Sequence, residues 1–160
     1  MNTLRGHMWM NIPKSNDLFV DTSGWAYYID KQDPLHSVVV KHVRHLLARR
    51  GFLVTTNYVI AELVALLSSR YNTPRQQLVM IINSLRQDQS IKILHVDQDF
   101  DSEAWKLLEA RLDKEWSLVD ASSFVVMRRY GMTQALTSDH HFAQAGFTCI
   151  PGHTTRGSRS

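Results

Sequence analysis

The stretch LFVDTSG, residues 18–24, decides how the rest of the chain is interpreted. Three apolar residues lead directly into Asp21, and Gly24 follows three positions later. A short apolar run with this ending is typical of a buried strand, so Leu18–Val20 is predicted as the first strand. Asp21 then lies at the carboxyl end of that strand, which is where open parallel sheets bind their ligands.

Beyond this segment, short apolar runs alternate with longer helical patterns. Gly51 and Gly131 are expected to end two helices, and Thr73 with Pro74 to begin a third through a capping box. Further strands are predicted at 52–55, 91–96, 135–137 and 147–150, and helices at 34–50, 58–70, 74–87, 102–112 and 118–130. Strands separated by helices require crossover connections. We therefore expect a three-layer α/β/α fold, with a mostly parallel sheet of about five strands and helices on both faces.

The length and composition fit a single intracellular domain. The 160 residues are 44% apolar and 21% charged, which allows one sizeable core and excludes a disordered or collagen-like protein. No apolar run approaches the ~18 residues of a membrane helix, and the one cysteine, Cys149, cannot form an internal disulfide, so we expect a cytoplasmic protein with no membrane partner. The net charge of +3 permits an anionic partner such as nucleic acid. The working domain is predicted at 16–152, between flexible termini at 1–15 and 153–160.

Four acidic residues lie in apolar segments that contain no lysine or arginine. Asp21 and Asp139 follow predicted strands, while Glu62 and Asp120 are the only charges in VIAELVALL (59–67) and LVDASSFVVM (118–127). Burying an isolated carboxylate costs several kcal/mol, so acids from four separate segments could instead share a cation. Carboxylate oxygens, without thiolates or a regularly spaced histidine pair, favour Mg²⁺ or Mn²⁺ over Zn²⁺. The sequence therefore predicts a magnesium or manganese site.

Each of these acids also has a purely structural interpretation. Asp21 and Asp139 could cap helices. Asp120 stands three residues after Ser117 and could complete a capping box. Glu62 has the weakest structural explanation, because an acid within an apolar helix caps nothing. An ion pair with another side chain is the structural alternative that remains for it.

Other motifs do not suggest a different chemistry. The segment DQDFD (97–101) begins like a calcium loop but has Ser102 at the sixth position and Leu108 at the twelfth, so it is interpreted as a solvated loop before a helix. The histidines and cysteine near the C-terminus do not have a zinc spacing. A solvated helix face is the default interpretation of a basic cluster formed by Lys41, His42, Arg44, His45 and Arg49.

The ordered segments LFVDTSGW, NYVIAEL, SLVDASSF and ALTSDHHF resemble the PIN domain, most closely its VapC-like toxin branch. The resemblance covers about residues 18–150 and implies the same parallel α/β/α fold. It implies Asp21, Glu62, Asp120 and Asp139 as the catalytic residues and metal ligands, with Mg²⁺ or Mn²⁺ as the cofactor. The implied activity is cleavage of RNA by metal-activated water.

Several functions and partners stay open at this point. The leading interpretation is an endoribonuclease toxin of a type II toxin–antitoxin system, held inactive by a small antitoxin protein. The alternatives are a housekeeping RNA-processing PIN protein and a non-catalytic RNA-binding module. A receiver-type phospho-acceptor domain is disfavoured, because no lysine follows Lys114. The apolar run at 79–82 fits either the contact of a homodimer or the core of a monomer.

Overall fold

The computed structural model of the protein describes residues 14–152. The predicted flexible termini fall almost entirely on residues 1–13 and 153–160, which lie outside the described residues. Within the described range, none of the helices has the length and hydrophobicity needed to cross a membrane.

Five parallel strands form one sheet in the order β3-β2-β1-β4-β5. Because every neighbouring pair is parallel, all five carboxyl ends lie at the same edge. Phe19 of the central strand is level with one residue on each side, Val54 and Ala135. The strands are β1 (Leu18–Val20), β2 (Leu53–Thr56), β3 (Ile91–Leu94), β4 (Gln134–Leu136) and β5 (Thr148–Ile150). The predicted parallel sheet is thus confirmed.

Seven helices in residues 14–152 cover the sheet. They are α1 (Thr22–Ile29), α2 (His36–Ala48), α3 (Asn57–Ser69), α4 (Arg75–Gln87), α5 (Gln98–Ala110), α6 (Leu118–Arg129) and α7 (His140–Gln144). The chain runs outward from β1 to β3 and then returns to β4 on the other side of β1. Because such crossovers are right-handed, α1–α4 and α5–α7 lie on opposite faces of the sheet, and the helices within each group contact one another. The strand order reverses between β1 and β4, the place where α/β sheets bind ligands.

Close packing of aromatic side chains in the core fixes the ends of β1 and β4. Phe19, Trp25, Phe124 and Phe142 are fully buried, and the rings of Phe124 and Phe142 meet edge to face at 4.9 Å. A Cβ atom on Gly24 would lie 2.1 Å from the carbonyl oxygen of Leu136. Only glycine therefore lets α1 approach β4 this closely.

Two predicted helix starts are corrected by the structure, and two helices had not been predicted. Helix α5 begins at Gln98, because the carboxylate of Asp97 accepts a hydrogen bond from the Phe100 amide, so the supposed loop at 97–101 is the cap and first turn of a helix. Helix α4 begins at Arg75 with Pro74 as its N-cap and no side-chain cap, so the capping box predicted from Thr73 is wrong. Helices α1 and α7 had no predicted range, although Asp21 and Asp139 were considered as helix caps.

The helix ends agree more closely with the predictions. Gly131 ends α6 with a φ of 67°, as expected. At the end of α2 the left-handed residue is Arg50, with a φ of 61°, rather than Gly51. A Cβ atom at Gly51 would lie 2.5 Å from Cδ1 of Leu46, so a larger residue here would have to displace the Leu46 side chain. The basic residues predicted on the polar face of α2 are exposed.

Candidate active site

All four predicted acids line one open cleft of about 750 Å³ at the carboxyl edge of the sheet. Asp21 follows β1 and is the N-cap of α1, and Asp139 follows β4 and is the N-cap of α7. Asp120 lies in the first turn of α6, and Glu62 lies in the second turn of α3. The structure therefore brings together four side chains that are spread over more than a hundred residues of sequence.

Asp21 is buried, with only 6% of its surface exposed. Its Oδ2 accepts a hydrogen bond from the hydroxyl of Thr137 at 3.1 Å. Although Asp21 occupies the N-cap position of α1, its side chain makes no capping hydrogen bond, so capping does not account for the carboxylate. Burial is the main cause that raises the pKa of the Asp21 carboxyl to about 7, and the nearby negative charges of Asp120 and Glu62 contribute less in the same direction.

Asp120 is equally buried but has its own partners. Its Oδ2 accepts the Ser117 amide hydrogen at 2.9 Å, and its amide donates to the Ser117 hydroxyl at 3.0 Å. The capping box that the sequence left open is therefore present. Nδ1 of His141 lies 3.1 Å from the same Oδ2. Asp120 caps its helix and still lines the cleft, so the structural and functional interpretations do not exclude each other.

Asp139 is held by two neighbours at the start of α7. Its Oδ1 accepts the His141 amide hydrogen at 2.9 Å and lies 3.3 Å from Nδ1 of His141. Its own amide donates to the hydroxyl of Thr137 at 2.9 Å. Asp139 therefore caps α7 as the sequence allowed, and it lines the cleft as well.

Glu62 occupies the rim of the cleft rather than a buried helix. Helix α3 buries one stripe, Val59, Leu63 and Leu67, while Glu62 is exposed, so the apolar surroundings that the sequence indicated for Glu62 are not formed. Oε1 of Glu62 accepts a hydrogen bond from the hydroxyl of Thr22 at 2.8 Å, which links α3 to α1. Partial removal from water raises the pKa of the Glu62 carboxyl, and the charges of Asp120 and Asp139 add to this.

The sequence did not identify two residues that organise the cluster. Thr137 is buried and its hydroxyl joins Asp21 to the amide of Asp139, while His141 connects Asp120 to Asp139. One ligand atom each from Asp139, His140 and His141 lies within 4.8 Å of the others, a spacing compatible with a bound metal ion. The only available signal was the position of both residues next to Asp139 in TSDHH.

A hydroxyl network supports the strand ends. The Ser23 hydroxyl accepts the Ser138 amide hydrogen at 3.0 Å and lies 3.3 Å from the hydroxyl of Thr137. Asn57 does not join this network, and its Oδ1 accepts the Val96 amide hydrogen at 2.7 Å. Backbone and side chains from β1, α1 and β4 thus fix the geometry around Asp21.

The donor set fits a hard divalent cation. Within residues 14–152, the basic side chains within 4 Å of these four carboxylates are His140 and His141, and none is a lysine or arginine. Oxygen ligands at the edge of an open cleft suit Mg²⁺ or Mn²⁺. A cation placed among the acids would offset the cost of burying Asp21.

The comparison with known families decides the assignment. The family model described as the PIN domain matches residues 18–148. The chain belongs to the PIN domain family. This confirms the resemblance seen in the four ordered segments. All four acids lie within the matched residues.

Two similar proteins extend the comparison. This PIN domain is 32% identical over 130 residues to the 23S rRNA-specific endonuclease VapC20 of Mycobacterium tuberculosis, found in two strains, which covers 81% of this chain and 95% of the relative. The crystal structure of VapC20, described as a sarcin-ricin loop cleaving toxin, matches with a TM-score of 0.69 over 82% of this chain and 97% of the other. FitAcB from Neisseria gonorrhoeae, at 16% identity and a TM-score of 0.58, covers 82% of this chain and 95% of its own and shares the fold.

Proposed function

We propose that this protein is a metal-dependent endoribonuclease and the toxin of a toxin–antitoxin pair. The observation that carries the proposal is the meeting of four carboxylates in one cleft, among them the buried Asp21 with its raised pKa. Its similarity to VapC20, an endonuclease specific for 23S rRNA, supports RNA as the substrate. A nuclease acting on ribosomal RNA would work in the cytoplasm, which agrees with the predicted location.

In this proposal, Mg²⁺ or Mn²⁺ is held by the four predicted site residues, which are Asp21, Glu62, Asp120 and Asp139. When bound, the cation supplies the Lewis acidity that lowers the pKa of a water molecule and stabilises the charge on the scissile phosphate. The protein positions the ligands. Thr137 orients Asp21, Thr22 orients Glu62, and His141 holds the carboxylates of Asp120 and Asp139 together.

Asp21 also makes cation binding dependent on pH. With a pKa of about 7, its carboxyl group is protonated in a large share of molecules at neutral pH. A carboxylate must lose its proton to bind a metal, so cation affinity is expected to increase as the pH rises through 7.

Cleavage of defined RNA by the purified protein tests the enzymatic proposal. A transcript of the sarcin-ricin loop is the first substrate to use, together with total ribosomal RNA in case the target differs. We expect cleavage with Mg²⁺ or Mn²⁺, none with EDTA, and none by the Asp139→Asn variant. Asp99→Asn removes an exposed carboxylate outside the cleft and should cleave normally. Undiminished cleavage in EDTA, or by Asp139→Asn, would contradict the proposed mechanism.

Expression in a bacterial host tests the toxin proposal separately. A toxin should arrest growth, and co-expression of the small protein encoded next to it should restore growth. Cleavage of RNA in vitro without any effect on growth would instead indicate a housekeeping RNA-processing enzyme.

The assembly and the domain limits are part of the same proposal. Val79 and Met80 of α4 are 44% and 63% exposed, whereas Ile82 is buried, so only half of this apolar run belongs to the monomer's core. The exposed half supports a homodimer, which light scattering of the wild type and Met80→Lys would test. We keep 16–152 as the proposed domain, and the range 18–148 matched by the family model supports it.

A further inference from the structure

One wall of the cleft is a face of α3, and of its residues only Glu62 has a role in the proposed mechanism. Glu62, Leu66 and Arg70 are spaced four residues apart and all line the cleft. Arg70 is the C-cap of α3 and is exposed. The helix rises about 12 Å over these eight residues, so Arg70 lies about two turns of α3 beyond Glu62.

The charge of Arg70 is unusual for its surroundings. Among the residues lining the cleft it is the one lysine or arginine, and within residues 14–152 its side chain has no hydrogen bond or ion pair. Its guanidinium is therefore available to a ligand. The carboxylates that line the same cleft are Asp21, Asp33, Glu62, Glu115, Asp120 and Asp139.

An aromatic side chain stands directly beside this guanidinium in sequence. Tyr71 is 37% exposed and lines both the cleft and an adjoining pocket of about 490 Å³. Ala26 is the other residue shared by the two, so they adjoin at Tyr71 and Ala26. A free arginine next to an exposed aromatic ring is the combination with which proteins bind single-stranded nucleic acid, through the phosphate and the base respectively.

We propose that Arg70 and Tyr71 bind the RNA strand next to the scissile bond, with Arg70 contacting a neighbouring phosphate and Tyr71 stacking on a base. This inference rests on the proposed nuclease function. The cluster of carboxylates repels a polyanion, so the strand needs a cation where it runs along α3. The planar guanidinium suits a phosphate because two N–H groups can donate to it together.

Matched variants separate this role from a general effect of charge. Arg49 is the C-cap of α2, which like α3 has 13 residues, and it is exposed just before β2, toward the opposite edge of the sheet. Arg49→Ala therefore removes the same charge from the same type of position. The test variants are Arg70→Ala, Arg70→Lys, Tyr71→Ala and Tyr71→Phe.

Binding of a fluorescein-labelled single-stranded RNA of mixed sequence is measured in EDTA, so that it requires neither metal nor cleavage. Arg70→Ala should raise the Kd roughly tenfold and reduce the slope of log Kd against log salt by about one. Arg70→Lys should keep that slope. Tyr71→Ala should weaken binding several-fold without changing the slope, and Tyr71→Phe should bind normally.

Cleavage kinetics provide a second measurement. With Mg²⁺ present, Arg70→Ala should raise KM and leave kcat nearly unchanged, because the guanidinium is not one of the proposed metal ligands. Arg49→Ala should match the wild type in both assays, and all variants should have the wild-type melting temperature.

The possible outcomes distinguish this inference from the proposed function. If the wild type binds RNA but does not cleave it, and Arg70→Ala weakens binding, the nuclease proposal fails while the RNA contact stands. If Arg70→Ala binds RNA as well as Arg49→Ala does, or the wild type binds no RNA, the inference is overturned. It is also overturned if Arg70→Ala weakens only the binding of the antitoxin.

Discussion

Asp21 and Asp120 are buried to almost the same extent, 6% and 8% exposed, yet the fold treats them differently. Asp120 completes a capping box with Ser117 and lies within 3.1 Å of Nδ1 of His141, so it contributes to structure on its own account. Asp21 accepts a hydrogen bond from one hydroxyl, makes no capping bond with its side chain, and has a pKa raised to about 7 by burial. Equal burial therefore does not imply equal function, and Asp21 is the stronger argument for a bound cation.

Loss of activity is the largest effect we predict for either residue. Asp21→Asn and Asp120→Asn should each reduce RNA cleavage by more than about a thousandfold, because each removes a proposed ligand of a cation that supplies several kcal/mol of transition-state stabilisation. Initial rates with Mg²⁺ at saturating RNA would measure this, with Asp99→Asn as the control. If Asp120→Asn still cleaves RNA substantially while Asp21→Asn does not, Asp120 has only its capping role and Asp21 alone is required for activity.

The two residues should differ most clearly in how they affect stability. The folded-state pKa of Asp21 lies above its unfolded value near 3.8, so the folded protein binds the extra proton between about pH 4 and pH 7. Stability without metal should therefore fall as the pH rises through this window, by up to about 4 kcal/mol. Urea unfolding in EDTA should show this slope for the wild type and a much flatter one for Asp21→Asn.

Two additions sharpen the pH experiment. Saturating Mg²⁺ should restore stability at the high end of the window, because the cation binds the deprotonated carboxylate. Asp21→Asn should be more stable than the wild type above pH 7 in EDTA. An identical pH slope in the wild type and in Asp21→Asn would show that Asp21 is not the group that carries the cost of burial.

The sequence revealed the acids because their local pattern is abnormal. A single charge within an apolar run, as at Asp120, or directly after a buried strand, as at Asp21, can be recognised without knowing the fold. Glu62 met the same criterion for a reason that proved wrong, since its helix buries only one stripe and the residue itself is exposed. Its place in the cleft depends on the tertiary contact with Thr22.

The residues that organise the cluster were not predictable in the same way. Thr137 and Asp21 are separated by 116 positions, and a threonine at the end of a strand has no unusual local pattern. Helix α7 has five residues, too few for an apolar periodicity, so His141 could not be assigned to a face. Arg70 follows a helix as an ordinary exposed residue, and only the shape of the cleft shows that it lines the same surface as the acids.

The smallest effect that we predict tests the capping role of Asp120 directly. Ser117→Ala removes the hydroxyl that accepts the amide hydrogen of Asp120, and it should lower the free energy of unfolding by about 1 kcal/mol. Ser102→Ala, at an exposed serine within α5, is the matched control and should raise stability by about 0.5 kcal/mol or less, because alanine favours a helix more than serine does. Thermal or urea unfolding at pH 8 in EDTA would measure both. The side chain of Asp21 makes no capping hydrogen bond, so Asp21 offers no equivalent substitution. If Ser117→Ala is as stable as Ser102→Ala, the capping box contributes nothing, and Asp120 then becomes a buried carboxylate that needs a cation as much as Asp21 does.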